Sequence, residues 1–276
     1  MRTPRFWGLH AKPGKRLATA LMLIPFLLFL LGYVVMSEIR HADNPRDKIM
    51  PTISKIADAA YKYAVVPKNG TYRLLNDAIT SLGRMVAGVT LAAFVGLMVG
   101  MNMALFKGMN VMISPFITFL SIIPPLALLP AFMITMGVGE AAKIGLIFVG
   151  IVLMITRDMY RETLAIPKEQ ITKALTLGAT QTELVYKIVL PQILPALVST
   201  IRLNLGSAWL FLIAGEAMAA KAGLGYTIFL VKRYLAMDVI IVYVFTITGI
   251  GFAMDRGLKK LIDWKYPWYT AVKGDS

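Results

Sequence analysis

Cysteine is absent from the 276 residues, which excludes disulfides and any thiolate-bound zinc or iron–sulfur centre. Histidine is nearly absent as well, and His10 and His41 cannot by themselves build a metal site. No G-x-x-x-x-G-K-[ST] phosphate loop occurs; Gly14-Lys15 lies in a basic stretch without that spacing and without a following Ser or Thr. Nor is there a Ser/His/Asp set or a paired-carboxylate arrangement, so bond chemistry on a substrate is not expected of this chain. Charge is scarce too: 16% of residues are Asp, Glu, Lys or Arg, against about 25% in a soluble domain.

What is present is apolar. Hydrophobic residues make up 57% of the chain and its mean hydropathy is +0.67, spread along the whole length. This composition predicts an all-α membrane protein forming one embedded unit. Between Arg16 and Glu38 no residue is charged, and at about 1.5 Å per residue that run crosses a roughly 30 Å hydrocarbon layer. It is too long for a signal-peptide core and no A-x-A site follows, so it reads as an uncleaved first helix, 17–37. A second span lies between Arg84 and Lys107. A third, from Gly108 to Gly139, contains Pro115, Pro124, Pro125 and Pro130 and cannot be one straight helix. Weaker segments at about Glu140–Tyr160, Leu194–Met218 and Val239–Leu261 bring the count to about six.

Six spans return both ends to one side, and the cations say which. Arg2, Arg5, Lys12, Lys15 and Arg16 precede the first span; Arg157, Arg161, Lys168, Lys173 and Lys187 lie at or beyond the end of the fourth; Arg256, Lys259, Lys260, Lys265 and Lys273 lie at the C-terminal end, in the last turns of the sixth and beyond it. The positive-inside rule puts all three groups in the cytosol, so both termini are cytoplasmic: segment 1–16 and tail 263–276. The same rule accounts for the net charge of +14 without nucleic acid. The external segment 38–80 carries ISKIADAAYKYAV after Pro51, the pattern of an amphipathic helix lying outside the membrane.

Residues 161–193 form a cytoplasmic excursion from the core at 81–262. Pro167 suits a first helical turn, Gly178 the position that ends that helix, and Thr180-x-x-Glu183 a capping box that starts the next; Pro191 should then stop it. Leu184, Val185, Ile188 and Val189 share one face of the second helix. That face needs burial, either on the chain's own bundle or on a partner.

Here the sequence resembles the permease subunits of type I ABC importers, whose cytoplasmic EAA loop carries a Glu-Ala-Ala start, a Gly and an apolar-Leu-Pro end. The matching stretches are Thr172-Lys173-Ala174, Gly178-Ala179 and Val189-Leu190-Pro191; the usual Glu is Thr172 and the first Ala is Lys173. SLGRMVAG at 81–88, IIPPLALLPAFMITMGVGE at 122–140, STIRLNLGSAWLFLIAGE at 199–216 and AGLGY at 222–226 are similar to the nitrate/sulfonate/taurine branch, in the same order across roughly 74–262. The resemblance implies the type I (MetI-like) permease fold in a bacterial cytoplasmic membrane. It implies a pathway for a small solute, a second permease copy, two cytosolic ATPases that bind ATP and Mg, and a periplasmic or lipid-anchored binding protein. No cofactor would bind this chain itself. Lys173, Ala174, Gly178, Ala179, Leu184, Ile188, Leu190 and Pro191 would form the ATPase-coupling loop.

Inside the spans, Pro124 and Pro125 interrupt the third helix and favour a position facing protein or a water-filled pathway. Trp209 is expected in the pathway wall. Arg202 and Glu216 need an account because charge within the bilayer is expensive; they are 14 residues apart, about 21 Å along a helix, and cannot pair with each other. Each is expected to meet a neighbouring helix or the pathway. Glu140, Lys143 and Asp238 read as solvated outer residues or contacts to the binding protein. Gly96-x-x-x-Gly100 reads as close helix packing. A stand-alone secondary transporter or channel would also tolerate a broken span, but has no use for an apolar cytosolic hairpin.

Overall fold

The computed structural model describes residues 14–269 except 46, 68 and 69. Most of the expected N-terminal segment 1–16 and the end of the 263–276 tail thus lie outside the described residues. The first helix, α1 (Lys15–Asp43), is apolar on every face and its central window is 0% buried within the chain. Near its C-terminal end Tyr33 donates to the Pro51 carbonyl (2.7 Å), Ser37 to that of Met50 (3.0 Å) and Arg40 to Asp47 (2.6 Å). The Arg40 guanidinium and the Ile49 N–H hold the Asp47 carboxyl below the usual carboxylate range. The amphipathic helix follows as α2 (Ile53–Ala64), capped by Thr52, with Tyr63 edge-on to Tyr243 at 5.9 Å.

Two long helices make the centre of the molecule, α3 (Arg73–Leu105) and α6 (Glu140–Leu164). Glycines on α3 set their separation. A Cβ at Gly88 would lie 2.8 Å from Ile147, one at Gly96 would lie 2.7 Å from Ile155, and one at Gly100 would run into the Thr156 carbonyl. Each missing side chain lets α6 approach the α3 backbone, the close packing that membrane helices rely on where burial of apolar surface gives no drive.

These pairs rise together along both helices, so α3 and α6 run parallel. The segment between them must therefore cross back. It does so as α4 (Lys107–Leu120), a short 3₁₀ turn at Pro125–Leu128, and α5 (Leu129–Thr135), with an 80° bend at the break. Asn110 on α4 donates to Tyr160 near the end of α6 (3.0 Å), whereas Gly145, near the start of α6, faces Phe132 and Met136 at the close of α5. The two halves are one broken span.

The rest of the chain alternates around this pair. After α7 (Lys168–Thr176) and a helical turn α8 (Gln181–Glu183), α9 (Leu190–Ala219) runs antiparallel to α6, with Gly215 against Lys143 and Gly150 against Phe211. A short α10 (Leu224–Lys232) closes the end of the bundle where α3 begins, and α11 (Met237–Lys265) returns antiparallel to α9. Four helices qualify as spans by length and composition, and the bent pair makes a fifth. The sixth is α6, placed by packing: Lys143, Arg157, Asp158 and Arg161 dilute its hydropathy, yet Leu146, Ile147 and Ile155 are fully enclosed.

Glycine packing on α3 generates a test. Gly100→Ala should destabilise the bundle by about 1–3 kcal/mol through overpacking, whereas Gly249→Ala on α11, with nothing within 4 Å of a new Cβ, should be tolerated. Thermal midpoints in detergent compare them; equal midpoints would show that α3 and α6 do not make this contact.

Candidate functional site

The hairpin between α6 and α9 is built from local signals. Pro167 sits at the N-cap of α7, and the helix ends in a Schellman motif: Ala179 N–H donates to Ala174 and Gly178 N–H to Leu175, both at 3.0 Å. Gly178 has φ +87°, where a Cβ is strained and glycine is not. The capping box follows as expected: Glu183 N–H donates to Thr180 Oγ1 (3.2 Å) and Thr180 N–H to Glu183 Oε2 (3.1 Å). Lys187 adds a 2.8 Å ion pair, and together with the Thr180 donors it holds the Glu183 carboxyl at about 2. A depressed carboxylate pKa contributes stability that is complete above the unfolded value and is lost progressively as pH falls from there through about 2.

One expectation for the second arm is corrected and one alternative is resolved. Pro191 does not stop the helix: Leu184–Val189 widens into a π turn, Leu190 N–H bonds to the Val185 carbonyl, and the helix runs continuously from Gln181 to Met218. The wider turn makes room for the proline ring and absorbs the missing N–H. Of the two ways open for the Leu184/Ile188 face, the chain's own bundle takes it. Leu184, Val185 and Val189 are buried and Ile188 is half-buried against the chain's own core. Of the other coupling residues, Lys173, Gly178 and Pro191 are exposed, Ala179 and Leu190 are half-buried, and Ala174 is buried. The apolar surface left uncovered is elsewhere: Leu177 is 88% exposed, with Leu175 and Tyr186 also exposed.

At the opposite end lies a buried polar cluster that the sequence did not announce. Glu216, with 0% exposure, accepts from Ser81 (2.7 and 2.9 Å), Arg84 Nη1 (2.7 Å) and Gly225 N–H (2.8 Å). Arg84 turns its other nitrogens to Glu140 (2.5 and 2.8 Å) and shares Nη1 with the Ala222 carbonyl (2.8 Å). Lys143 closes the chain on Glu140 at 2.8 Å. Beside it, Asp77 accepts from Gly223 N–H (3.0 Å), Thr227 (2.7 Å) and Tyr243 (2.9 Å), while Ser81 Oγ accepts from Leu224 N–H (2.8 Å). The first N–H groups of α10 are thus satisfied by side chains of α3 and α9, a helix terminus docked inside the bundle.

Glu140 and Lys143 are accordingly not simply solvated: Lys143 is buried and Glu140 is an ion-pair partner of both cations. Asp238 remains at the outer surface, half-buried. Arg202 pairs with Asp255 on α11 at 2.9 and 3.2 Å. Trp209 is buried with its indole nitrogen toward Gly251. Among the pathway candidates only Pro124, exposed, and Pro125, half-buried, present surface at the break in the third span. Asp77, Ser81 and Arg84 were missed as functional residues, although their spacing of four and three places them on one face of a helix.

Residues 88–262 match the family described as "Binding-protein-dependent transport system inner membrane component". The taurine transport system permease protein of Escherichia coli is 31% identical over 193 residues, 70% of each chain. The bicarbonate transport system permease protein of Synechococcus elongatus is 30% identical over 189 residues, 68% of each. Among solved structures, an inward-facing MetNI methionine ABC transporter superposes with a TM-score of 0.57 at 22% identity, covering 68% of this chain and 95% of that one; that likeness concerns the fold.

Removing Arg84 leaves Glu216 charged and enclosed, so Arg84→Met should cost about 3–5 kcal/mol. Adding Glu216→Gln, which removes the orphaned charge while keeping an acceptor, should restore part of it. Detergent melting curves of the single and double variants check this; an Arg84→Met melt equal to the parent's would remove the pair from any structural account.

Proposed function

This chain belongs to the binding-protein-dependent transport system inner membrane component family, and from that premise we propose how it works as the permease subunit of an ABC importer. Two copies pair around a shared pathway for a small solute of the nitrate, sulfonate or taurine kind, fed by an external binding protein. The taurine and bicarbonate relatives support that class of cargo. Two cytosolic ATPases bind ATP and Mg; this subunit performs no chemistry on nucleotide or solute. Both termini and the hairpin face the cytosol, in keeping with the distribution of basic residues. The break at Pro124 and Pro125 lines the pathway, where carbonyls freed by the bend meet water rather than lipid.

The observation that carries this reading is the hairpin's construction. Its first arm presents Leu175 and Leu177 to the cytosol, and its second arm is sealed into the bundle and continuous with a span. The exposed arm is suited to the ATPase groove and the sealed arm to carrying its displacement inward. From Gln181 to Met218 there are 38 residues without interruption, a rod of about 57 Å. An ATPase that moves α7 moves this rod, and with it the wall beside the break.

The test is reconstitution. The permease alone should show no ATP turnover, and ATP-driven uptake into proteoliposomes should require the ATPase subunit. Leu177→Asp should reduce ATPase capture about 10- to 100-fold, since burying a leucine is worth about 1.5–3 kcal/mol. Gly178→Val should re-aim the exposed first arm against the sealed second one and abolish capture or uncouple hydrolysis from uptake. Lys173→Glu should be mild, because an exposed pair at a groove rim contributes about 1 kcal/mol or less. Full capture and full uptake by both Leu177→Asp and Gly178→Val would remove the hairpin from the coupling role.

A further inference from the structure

Glu140 is the member of the polar cluster that reaches the surface. Its side chain is 58% exposed, whereas Arg84 and Lys143, the two cations it joins, are 6% and 3% exposed and Glu216 is fully enclosed. Two cations face two carboxylates, so the charges balance only while Glu140 is in place. Asp77 does not replace it. That residue lies about two turns from Arg84 along α3, roughly 10 Å, and its carboxylate is taken up by Gly223 N–H, Thr227 and Tyr243. Lys143 depends on Glu140 altogether, since Glu140 Oε1 is its one acceptor among the described residues.

The contact has the form of a bound oxyanion. Arg84 Nη1 is engaged by Glu216 and the Ala222 carbonyl, which leaves the Nε/Nη2 edge of the guanidinium. Glu140 fills that edge with both oxygens, at 2.5 and 2.8 Å, and Lys143 Nζ adds a third donor to Oε1 at 2.8 Å. Three nitrogen donors around two oxygens, in a fork fixed by the other end of the same guanidinium, suit any small group that carries two oxygens and a negative charge. Glu140 itself is lightly held. It is the first residue of α6, preceded by an exposed segment, 136–139, that includes Gly137 at φ +73° and the N-cap Gly139. No helical turn precedes it to confine its side chain, so rotation about its own bonds vacates the fork without moving Arg84 or Lys143.

We propose that Arg84 and Lys143 form a receiving site for a small oxyanion, a carboxylate, sulfonate, nitrate or bicarbonate, and that Glu140 is its built-in stand-in, displaced when the oxyanion arrives. The site stands on this geometry; that its ligand is the cargo rests on the importer reading above. On that reading the cargo is an anion.

Chemical rescue of the purified chain tests the site. Glu140→Ala empties the fork and leaves one enclosed cation in excess, so it should melt about 5–10 °C below the parent. Formate and methanesulfonate, titrated at constant ionic strength, should restore most of that loss saturably, whereas chloride, a single atom unable to span the fork, should restore little. Adding Lys143→Met removes the excess charge along with one donor. The double variant should therefore melt above Glu140→Ala in plain buffer and gain little from either oxyanion. Glu140→Gln, which keeps an oxygen in the fork, supports the same comparison where Glu140→Ala does not fold. Absence of rescue, equal rescue by chloride, or rescue that survives in the double variant overturns the inference. ATP-driven uptake into proteoliposomes is read separately with labelled nitrate, taurine and bicarbonate, and Lys143→Met should lower uptake of any that the parent carries about tenfold. Rescue without uptake of any of them by the parent would strike the cargo of the importer reading and leave the site standing; uptake without rescue would strike this inference alone.

Discussion

A carboxylate with no exposure to solvent, Glu216, dictates more of this structure than any other group. An isolated charge in such a place is prohibitively expensive, so it exists only with its partners. Arg84 supplies the opposite charge, and Ser81 and the Gly225 N–H supply the remaining hydrogen bonds. Those partners fix the backbone around them. A Cβ on Gly223 would lie 2.5 Å from Glu216 Oε1, and one on Gly225 would lie 2.9 Å from the Ile213 carbonyl. The AGLGY turn has glycines at these two places because the carboxylate fills the space, and Gly223, at φ +132°, also takes a backbone conformation costly to other residues.

Arg84 extends the constraint to a third helix. Its Nε and Nη2 hold Glu140 at the start of α6, which sets where α6 begins relative to α3. Below that point the register is carried forward by Gly88, Gly96 and Gly100 against Ile147, Ile155 and Thr156. Polar clamp and small-residue seam are complementary. The clamp fixes position along the axis, and the seam fixes distance across it. Asp77 performs a similar service for α10 and α11 through Gly223, Thr227 and Tyr243.

The hairpin was readable in the sequence because its determinants are local: Gly178 and the Thr180/Glu183 box need only neighbours within a few residues. The clamp was not, because Arg84 and Glu216 are 132 residues apart and only the fold brings them together. Reading spans as uncharged runs made Arg84 a boundary, when it is an interior residue of a helix that begins at Arg73. Pro191 misled for another reason. Proline ends an ordinary α-helix, but a π turn accommodates its ring and its missing donor. Helical spacing grouped Leu184 and Ile188 correctly on one face, yet spacing alone does not say what the face meets; the structure places it against the chain's own core.

These features give α9 two differently held ends. Near Glu216 it is bound to α3 and α10 by charge-assisted hydrogen bonds that tolerate little displacement. At Leu184 and Val189 it is held by apolar contacts, which are non-directional, and it passes through a π turn whose wider winding allows small changes of pitch. Between them, Arg202 and Asp255 tie it to α11 at a partly exposed site, where an ion pair can break and reform at small cost. A displacement imposed at the hairpin is therefore accommodated where contacts are forgiving and resisted at the Glu216 clamp.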